Sequence, residues 1–160
     1  MIYVCEYQSP LGVLTLTSDG EALTGLDFGP ASGVTGETCP ALDAAKRWLD
    51  VYFAGSAPDF TPPLHLSGTP FRTAVWELLL TVPYGDTTTY GELAARLAQG
   101  LRVPKMSAQA VGGAVGKNPV ALIVPCHRVI GAGKRLVGYA AGVDKKQALL
   151  ALEGTVLDRL

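Results

Sequence analysis

Cys126, His127 and Arg128 stand side by side in the stretch IVPCHRVIG, directly behind Pro125. A cysteine is a nucleophile only as its thiolate, and neighbouring positive charge is one of the few things that favours that form. His127 and Arg128 offer up to two such charges. Pro125 cannot continue a hydrogen-bond ladder, so the sulfur is expected where a strand ends and side chains become accessible. Glu153 is the carboxylate at the end of the closing helix, beyond its apolar stretch ALLAL, placed to orient His127 as the third member of a relay. Adjacent residues in extended chain point in opposite directions, so His127 is expected to reach the sulfur indirectly, through water. The competing reading is an inert, buried cysteine that behaves as a small hydrophobe.

The elements that must position these residues divide into two kinds. MIYVCEYQ, LGVLTLTS and EALTGLDF are β-rich and separated by the turn signals SPLG and SDGE. Next comes CPALDAAKRWLDVYFAG, a helix with Pro40 at its first position and Leu42, Ala45, Leu49 and Phe53 at helical spacing. The proline-rich SAPDFTPPLHLSGTP reads as a linker, which divides the chain into domains at 1–66 and 67–160. The second part is mostly helical. PFRTAVWELLLTV is one helix, and PYGDTT breaks it. A second opens with a capping box, Thr89 and Glu92. A third, MSAQAVGGAVGKN, is capped by Ser107 and ended by Asn118. The last two, joined by QGLRVPK, fit a helix-turn-helix. The third is unusually small-sided, with Gly112, Gly113 and Gly116 in it, and glycine weakens a helix. Either a neighbouring helix or an outside surface must approach that backbone. PVALIVPCHRVIG reads as a buried strand running into Pro125 and the Cys-His-Arg step, GAGKRLVGYAAG as a glycine-rich loop, and VDKKQALLALEG as a closing helix.

Composition narrows the class. The 160 residues are 48% hydrophobic and 17% charged, with no apolar run long enough to cross a membrane and no leader-like start. The expected location is the cytoplasm. Three cysteines without CxxC spacing argue against a disulfide framework and a structural zinc site, so no metal or cofactor is expected. The net charge of -1 conceals a polarity. Residues 1–70 carry two basic residues against eight acids, and residues 71–160 carry eleven against six. A basic half beside an acidic one points to a polyanion partner for the second half.

PCHRV, preceded by NPV and followed by GYAAG, resembles the active-site signature of the methylated-DNA–protein-cysteine methyltransferases, the O6-alkylguanine repair proteins. FRTAVWELL, VPYGDTTTYGELA, AVGGAVGKNP and KKQALLALEG extend the likeness over residues 70–154 in the same order. SPLGVLTLTSDGEALTGLDF resembles that family's N-terminal domain more weakly. The resemblance implies an α/β fold, with a small β-rich, ribonuclease-H-like N-terminal domain and a mostly helical, winged helix-turn-helix-like C-terminal domain. It implies a single-turnover transfer of an alkyl group from O6-alkylguanine, and O4-alkylthymine, in double-stranded DNA to a protein cysteine. The protein would act as a monomer from the minor groove, on a nucleotide flipped out of the stack. By position, Cys126 matches the acceptor, His127 the base acting through water, and Glu153 the acid behind it. Asn118 matches the asparagine between the helix-turn-helix and the cysteine, and Tyr90 the tyrosine that protonates the leaving guanine. Val129, Tyr139 and Ala140 fall at guanine-pocket positions, and Ser107 and Ala108 at DNA-facing ones. Arg128 matches the motif arginine, here read as an ion-pair anchor.

The chain departs from that pattern at one position. Where the family commonly has an arginine that fills the gap left by the flipped base, this chain has Gln109. Glutamine can hydrogen-bond an orphaned base but brings no charge. Two other classes fit less of the sequence. A DNA-binding damage sensor without chemistry has no need for Cys126, His127 and Glu153 together. A cysteine hydrolase draws its base from farther along the chain.

Overall fold

The structure, a computed structural model, describes residues 1–131 and 138–155. The chain packs as two units. One is Met1–Ser67 with Pro119–Ile123, and the other is Gly68–Asn118 with the chain from Val124 onward.

In the first unit, β1 (Tyr3–Ser9), β2 (Gly12–Ser18) and β3 (Leu23–Phe28) form an antiparallel sheet in the order β1-β2-β3. Alternation sets the buried face: Leu14, Leu16 and Ser18 of β2 are fully covered while the residues between them are not. The helix α1 (Pro40–Phe53) supplies Leu42, Ala45, Trp48, Leu49 and Tyr52 to the core, and its Asp50 accepts a hydrogen bond from the Tyr7 hydroxyl at 2.6 Å. Each fully buried leucine here contributes on the order of 2 kcal/mol. The segment 119–123 completes this unit. Val120 bridges Leu26 in parallel, the Leu26 amide donates to the Pro119 carbonyl, and the Ala121 amide donates to the Leu26 carbonyl.

In the second unit, α2 (Pro70–Leu79), α3 (Tyr90–Leu101) and α4 (Ala108–Val115) pack on one another through Val75, Trp76, Leu79, Leu93, Leu97, Val111 and Val115. The Trp76 indole N–H donates to the Ala114 carbonyl at 2.8 Å and ties α2 to α4. The Thr89 hydroxyl caps α3 by accepting from the Glu92 amide, and the Ser107 hydroxyl caps α4 by accepting from the Ala110 amide. The Glu92 carboxylate does not return the bond to Thr89; it accepts from the Thr88 hydroxyl, so the expected capping box is half formed. Helix α4 ends at Val115, three positions before Asn118. A two-stranded parallel ladder joins β4 (Thr88–Thr89) to β5 (Val129–Ile130), and α5 (Val143–Leu152) closes the unit. The expected glycine-rich loop at 131–142 lies partly outside the described residues.

The stretch 119–128, which precedes β5, is not the buried strand its apolar run predicts. It makes one bridge at Val120, turns through Leu122 in the left-handed region (φ 67°), and enters a single 3-10 turn at Cys126–Arg128. The run is apolar because Val120, Leu122, Ile123 and Val124 are buried, not because a sheet flanks them.

Candidate active site

The β4–β5 ladder explains how residues distant in sequence meet. Thr88 pairs with Val129 and Thr89 with Ile130. Tyr90 follows β4 directly as the first residue of α3, and Cys126–Arg128 directly precedes β5. The ladder therefore sets the start of α3 beside the cysteine turn. Tyr90 is half-buried, and the influence of the Cys126 charge adds to burial in raising its hydroxyl pKa.

Cys126 is buried, with 9% of its surface exposed, which corrects the expectation of an accessible sulfur at a strand end. Burial pushes its thiol pKa up. The side chains of Asn118 and Tyr139, and the charge of Lys146, act in the opposite direction. The Asn118 amide also donates to the Val124 carbonyl at 2.7 Å, so one side chain spans the ends of the 119–123 excursion and meets the sulfur.

His127 is fully buried and its Nε2 lies 2.6 Å from Glu153 Oε2. With the carboxylate as acceptor, Nε2 carries the proton and Nδ1 is the basic nitrogen. Burial holds the imidazole pKa down; Glu153 raises it, and the charges of Arg128 and Lys146 lower it further. Glu153 is saturated with donors. Arg128 Nε gives a hydrogen bond to Oε1 at 2.8 Å and its second terminal nitrogen gives one to Oε2 at 3.2 Å. The Gly85 amide donates to Oε1 at 3.2 Å. The remaining guanidinium nitrogen donates to the Val82 carbonyl at 2.7 Å. Gly85 is required for this contact. It sits at φ 85°, and a Cβ there would lie 3.4 Å from the Glu153 carbonyl oxygen.

These contacts revise the source of positive charge at the sulfur. Arg128 is engaged by Glu153 and Val82, and His127 is held towards its neutral form, so neither is the thiolate's counter-charge that their adjacency suggests. Lys146, fully buried on α5 and absent from the sequence-based candidates, carries a charge that works to lower the Cys126 pKa. A signal for it existed. Lys146, Leu149, Leu150 and Glu153 fall at i, i+3, i+4 and i+7, on the same helix face as the carboxylate that was recognised.

Val129 is buried in β5, Tyr139 is partly buried, and Ala140 is exposed. Ser107, Ala108 and Gln109 form an exposed run at the start of α4, whereas Cys126, His127, Arg128 and Glu153 are buried. Gly112 meets only the Tyr90 ring, where an added Cβ would be in ordinary contact at 3.5 Å, and around Gly113 there is open space. Packing within the unit therefore does not demand the glycine at 113.

A helix-turn-helix whose second helix shows a bare, small-sided surface, built on a turn that buries a cysteine beside a histidine–carboxylate–arginine cluster, defines a class of DNA-associated thiol proteins. Known families agree on one member of that class. The model of the 6-O-methylguanine DNA methyltransferase DNA-binding domain matches residues 70–155, and that of the same family's ribonuclease-like domain matches residues 2–66. The methylated-DNA–protein-cysteine methyltransferase of Mycobacterium tuberculosis is 44% identical over 96% of this chain and 93% of its own length. That of Methanosarcina acetivorans is 43% identical over 96% and 99%. Among solved structures, the Mycobacterium tuberculosis protein in complex with DNA superposes with a TM-score of 0.82 at 43% identity, covering 94% of this chain and 92% of that one. The chain belongs to the 6-O-methylguanine DNA methyltransferase family.

Proposed function

We propose that this chain repairs DNA by moving a methyl or larger alkyl group from O6 of guanine to the sulfur of Cys126, once per molecule. One observation carries the assignment to Cys126: it directly precedes the fully buried His127, whose Nε2 lies 2.6 Å from Glu153 Oε2, so this cysteine has a base and its carboxylate beside it. Neutral His127 takes the thiol proton through a bridging water, and Glu153 steadies the imidazolium that results. The sulfur attacks the alkyl carbon, the carbon–O6 bond breaks, and its electron pair passes to the guanine. Tyr90 hands a proton to the leaving base and is restored by the proton that left the thiol. Guanine and an S-alkylcysteine are the products. A thioether has no water-labile bond, so nothing regenerates the protein. O4-alkylthymine is expected to react by the same step.

The protein binds DNA, and we place the minor groove against the face of α4 that carries Ser107, Ala108, Gln109 and Gly113. Glycine at 113 weakens the helix by about 1 kcal/mol relative to alanine and serves no neighbour within the unit. A nucleic-acid backbone lying against it accounts for that cost. Val129, Tyr139 and Ala140 line the pocket for the flipped base, and Gln109 fills the vacancy in the stack. Residues 67–160 carry both binding and transfer, in a monomer. Among the described residues no helix is long and apolar enough to cross a membrane. Cysteines that are all unpaired suit the reducing cytoplasm.

The test is stoichiometry. Duplex DNA with a radiolabelled O6-methylguanine should transfer one label per chain and then stop. Label released as free methanol, or transfer that continues past one equivalent, would rule out a terminal alkyl acceptor.

A further inference from the structure

Three residues of the loop between α2 and β4, Val82, Tyr84 and Gly85, close around the Arg128–Glu153 pair and the end of α5. The Val82 carbonyl accepts from Arg128 at 2.7 Å, and the Gly85 amide donates to Glu153 Oε1 at 3.2 Å. The Gly85 carbonyl accepts from the Thr155 hydroxyl at 3.0 Å. Between them, the Tyr84 ring lies under the Arg128 guanidinium, whose carbon stands 5.8 Å from the ring centre. The Tyr84 hydroxyl donates to the Leu152 carbonyl at 3.4 Å, long for a bond of this kind. A guanidinium within about 6 Å of an aromatic face is attracted by it. All three guanidinium nitrogens are bonded, two to Glu153 and one to Val82. Those bonds fix the edges of a planar group; the ring takes up a face, the direction in which edge bonds restrain it least. Arg128 is buried and Tyr84 half-buried, so the ring is part of what keeps water off the guanidinium.

We propose that Tyr84 is a positioning residue for alkyl transfer: its ring holds the Arg128 guanidinium in register with Glu153 and so keeps that carboxylate on His127. The proposal rests on His127 being the base that serves Cys126. The charged and titratable groups around His127 are Glu153 and Lys146 from α5, Cys126 and Arg128 from its own turn, and Tyr84 from this loop, which senses Glu153 and Arg128. Tyr90 of α3 senses Cys126. Arg128 lowers the His127 pKa and Glu153 raises it. Water admitted over the guanidinium would screen the Arg128 charge. More of the carboxylate's pull then falls on the imidazole, its pKa rises, and less of the base is neutral at pH 7.

The experiment follows single-turnover methyl transfer from O6-methylguanine duplex to the full chain across pH. Wild type, Tyr84→Phe, Tyr84→Leu, Arg128→Met and the Tyr84→Leu/Arg128→Met double variant are compared. Duplex affinity is measured alongside, and the Arg128 Nε–H resonance, displaced by the ring current, reports the contact itself. Phenylalanine keeps the ring and drops the hydroxyl; leucine keeps apolar bulk and drops the ring. Tyr84→Leu should transfer about fivefold more slowly at neutral pH, the rate equivalent of one half-buried cation–π contact. Its acid limb should shift upward, its Arg128 resonance should lose the ring-current displacement, and its DNA affinity should not change. Tyr84→Phe should keep the wild-type rate, limb and resonance. In the Arg128→Met background leucine should shift the limb no further, because the charge it acts through is gone. Should Arg128→Met not fold, the limb of Tyr84→Leu against that of Tyr84→Phe decides alone. A Phe variant as slow as Leu would make the hydroxyl strut to α5 the cause and overturn the proposal. A slow Leu variant with an unshifted limb, or a leucine effect undiminished without Arg128, would do the same. Wild type that shows the displaced Arg128 resonance but transfers no methyl group to Cys126 would refute the functional reading, and the proposal with it, while the ring–guanidinium contact stood.

Discussion

At the scale of single residues, Glu153 is the pivot, because it serves His127 and Arg128 with the same carboxylate. Arg128→Met leaves a buried carboxylate with half its partners, and breaking such a pair costs about 3–5 kcal/mol, read as a lower denaturation midpoint. The same change moves the chemistry in a calculable direction. The Arg128 charge helps hold the His127 pKa down, so its removal raises that pKa, and the base is neutral only at higher pH. The acid limb of the rate–pH profile for methyl transfer should shift upward. An unshifted limb would mean that His127 is not the base. Cys126→Ser should abolish transfer while DNA affinity stays within about threefold, since the sulfur is buried and adds no phosphate contact. Cys39 is the rival acceptor, at the N-cap of α1, but it is buried and its sulfur lies 3.4 Å from the Ser18 hydroxyl. At the candidate site, the meeting of His127 with Glu153 beside Cys126 was legible from type and spacing. The burial of Lys146 was not, because a Lys-Lys pair in a surface-like helix reads as solvated charge until the helix face is counted.

At the scale of elements, α4 makes the sharpest claims. Gly113→Ala should stabilise the fold by about 0.5–1 kcal/mol, the usual gain from replacing a helical glycine, because the added methyl meets open space. The same variant should bind duplex DNA more weakly, because the methyl intrudes where a groove wall would lie. Stability and affinity that both improve would remove α4 from the interface. Gln109→Arg should tighten binding and speed duplex repair, and Gln109→Ala should slow it, whereas the rate with free O6-benzylguanine stays nearly unchanged in both. Strands β1 to β3 and the helices followed from alternation, helical spacing and caps. Residues 119–124 misled because a continuous apolar run carries no period, and burial from several sides looks the same as burial in a sheet. The β4–β5 ladder, two residues a side, was beyond any pattern, although it is what brings Tyr90 to Cys126.

For the molecule as a whole, charge polarity and connectivity govern behaviour. The basic residues gathered in 71–160 should give a negative slope of log affinity against log salt. Lys117→Gln, at an exposed position just beyond α4, should flatten that slope by about one and weaken binding to all sequences alike. Removing residues 1–66 is a harsher change than the linker composition implies, because Val120–Ile123 would lose their partner at Leu26. The truncated chain should be less stable. The account's central claim is that this one buried sulfur takes the alkyl group and keeps it. The direct measurement is the mass of the intact chain, with peptide mapping, after incubation with an excess of O6-methylguanine duplex. A gain of a single methylene, confined to the peptide that contains Cys126, is the predicted result. No mass gain while the lesion is consumed, or a methyl group found on Cys5 or Cys39, would contradict it.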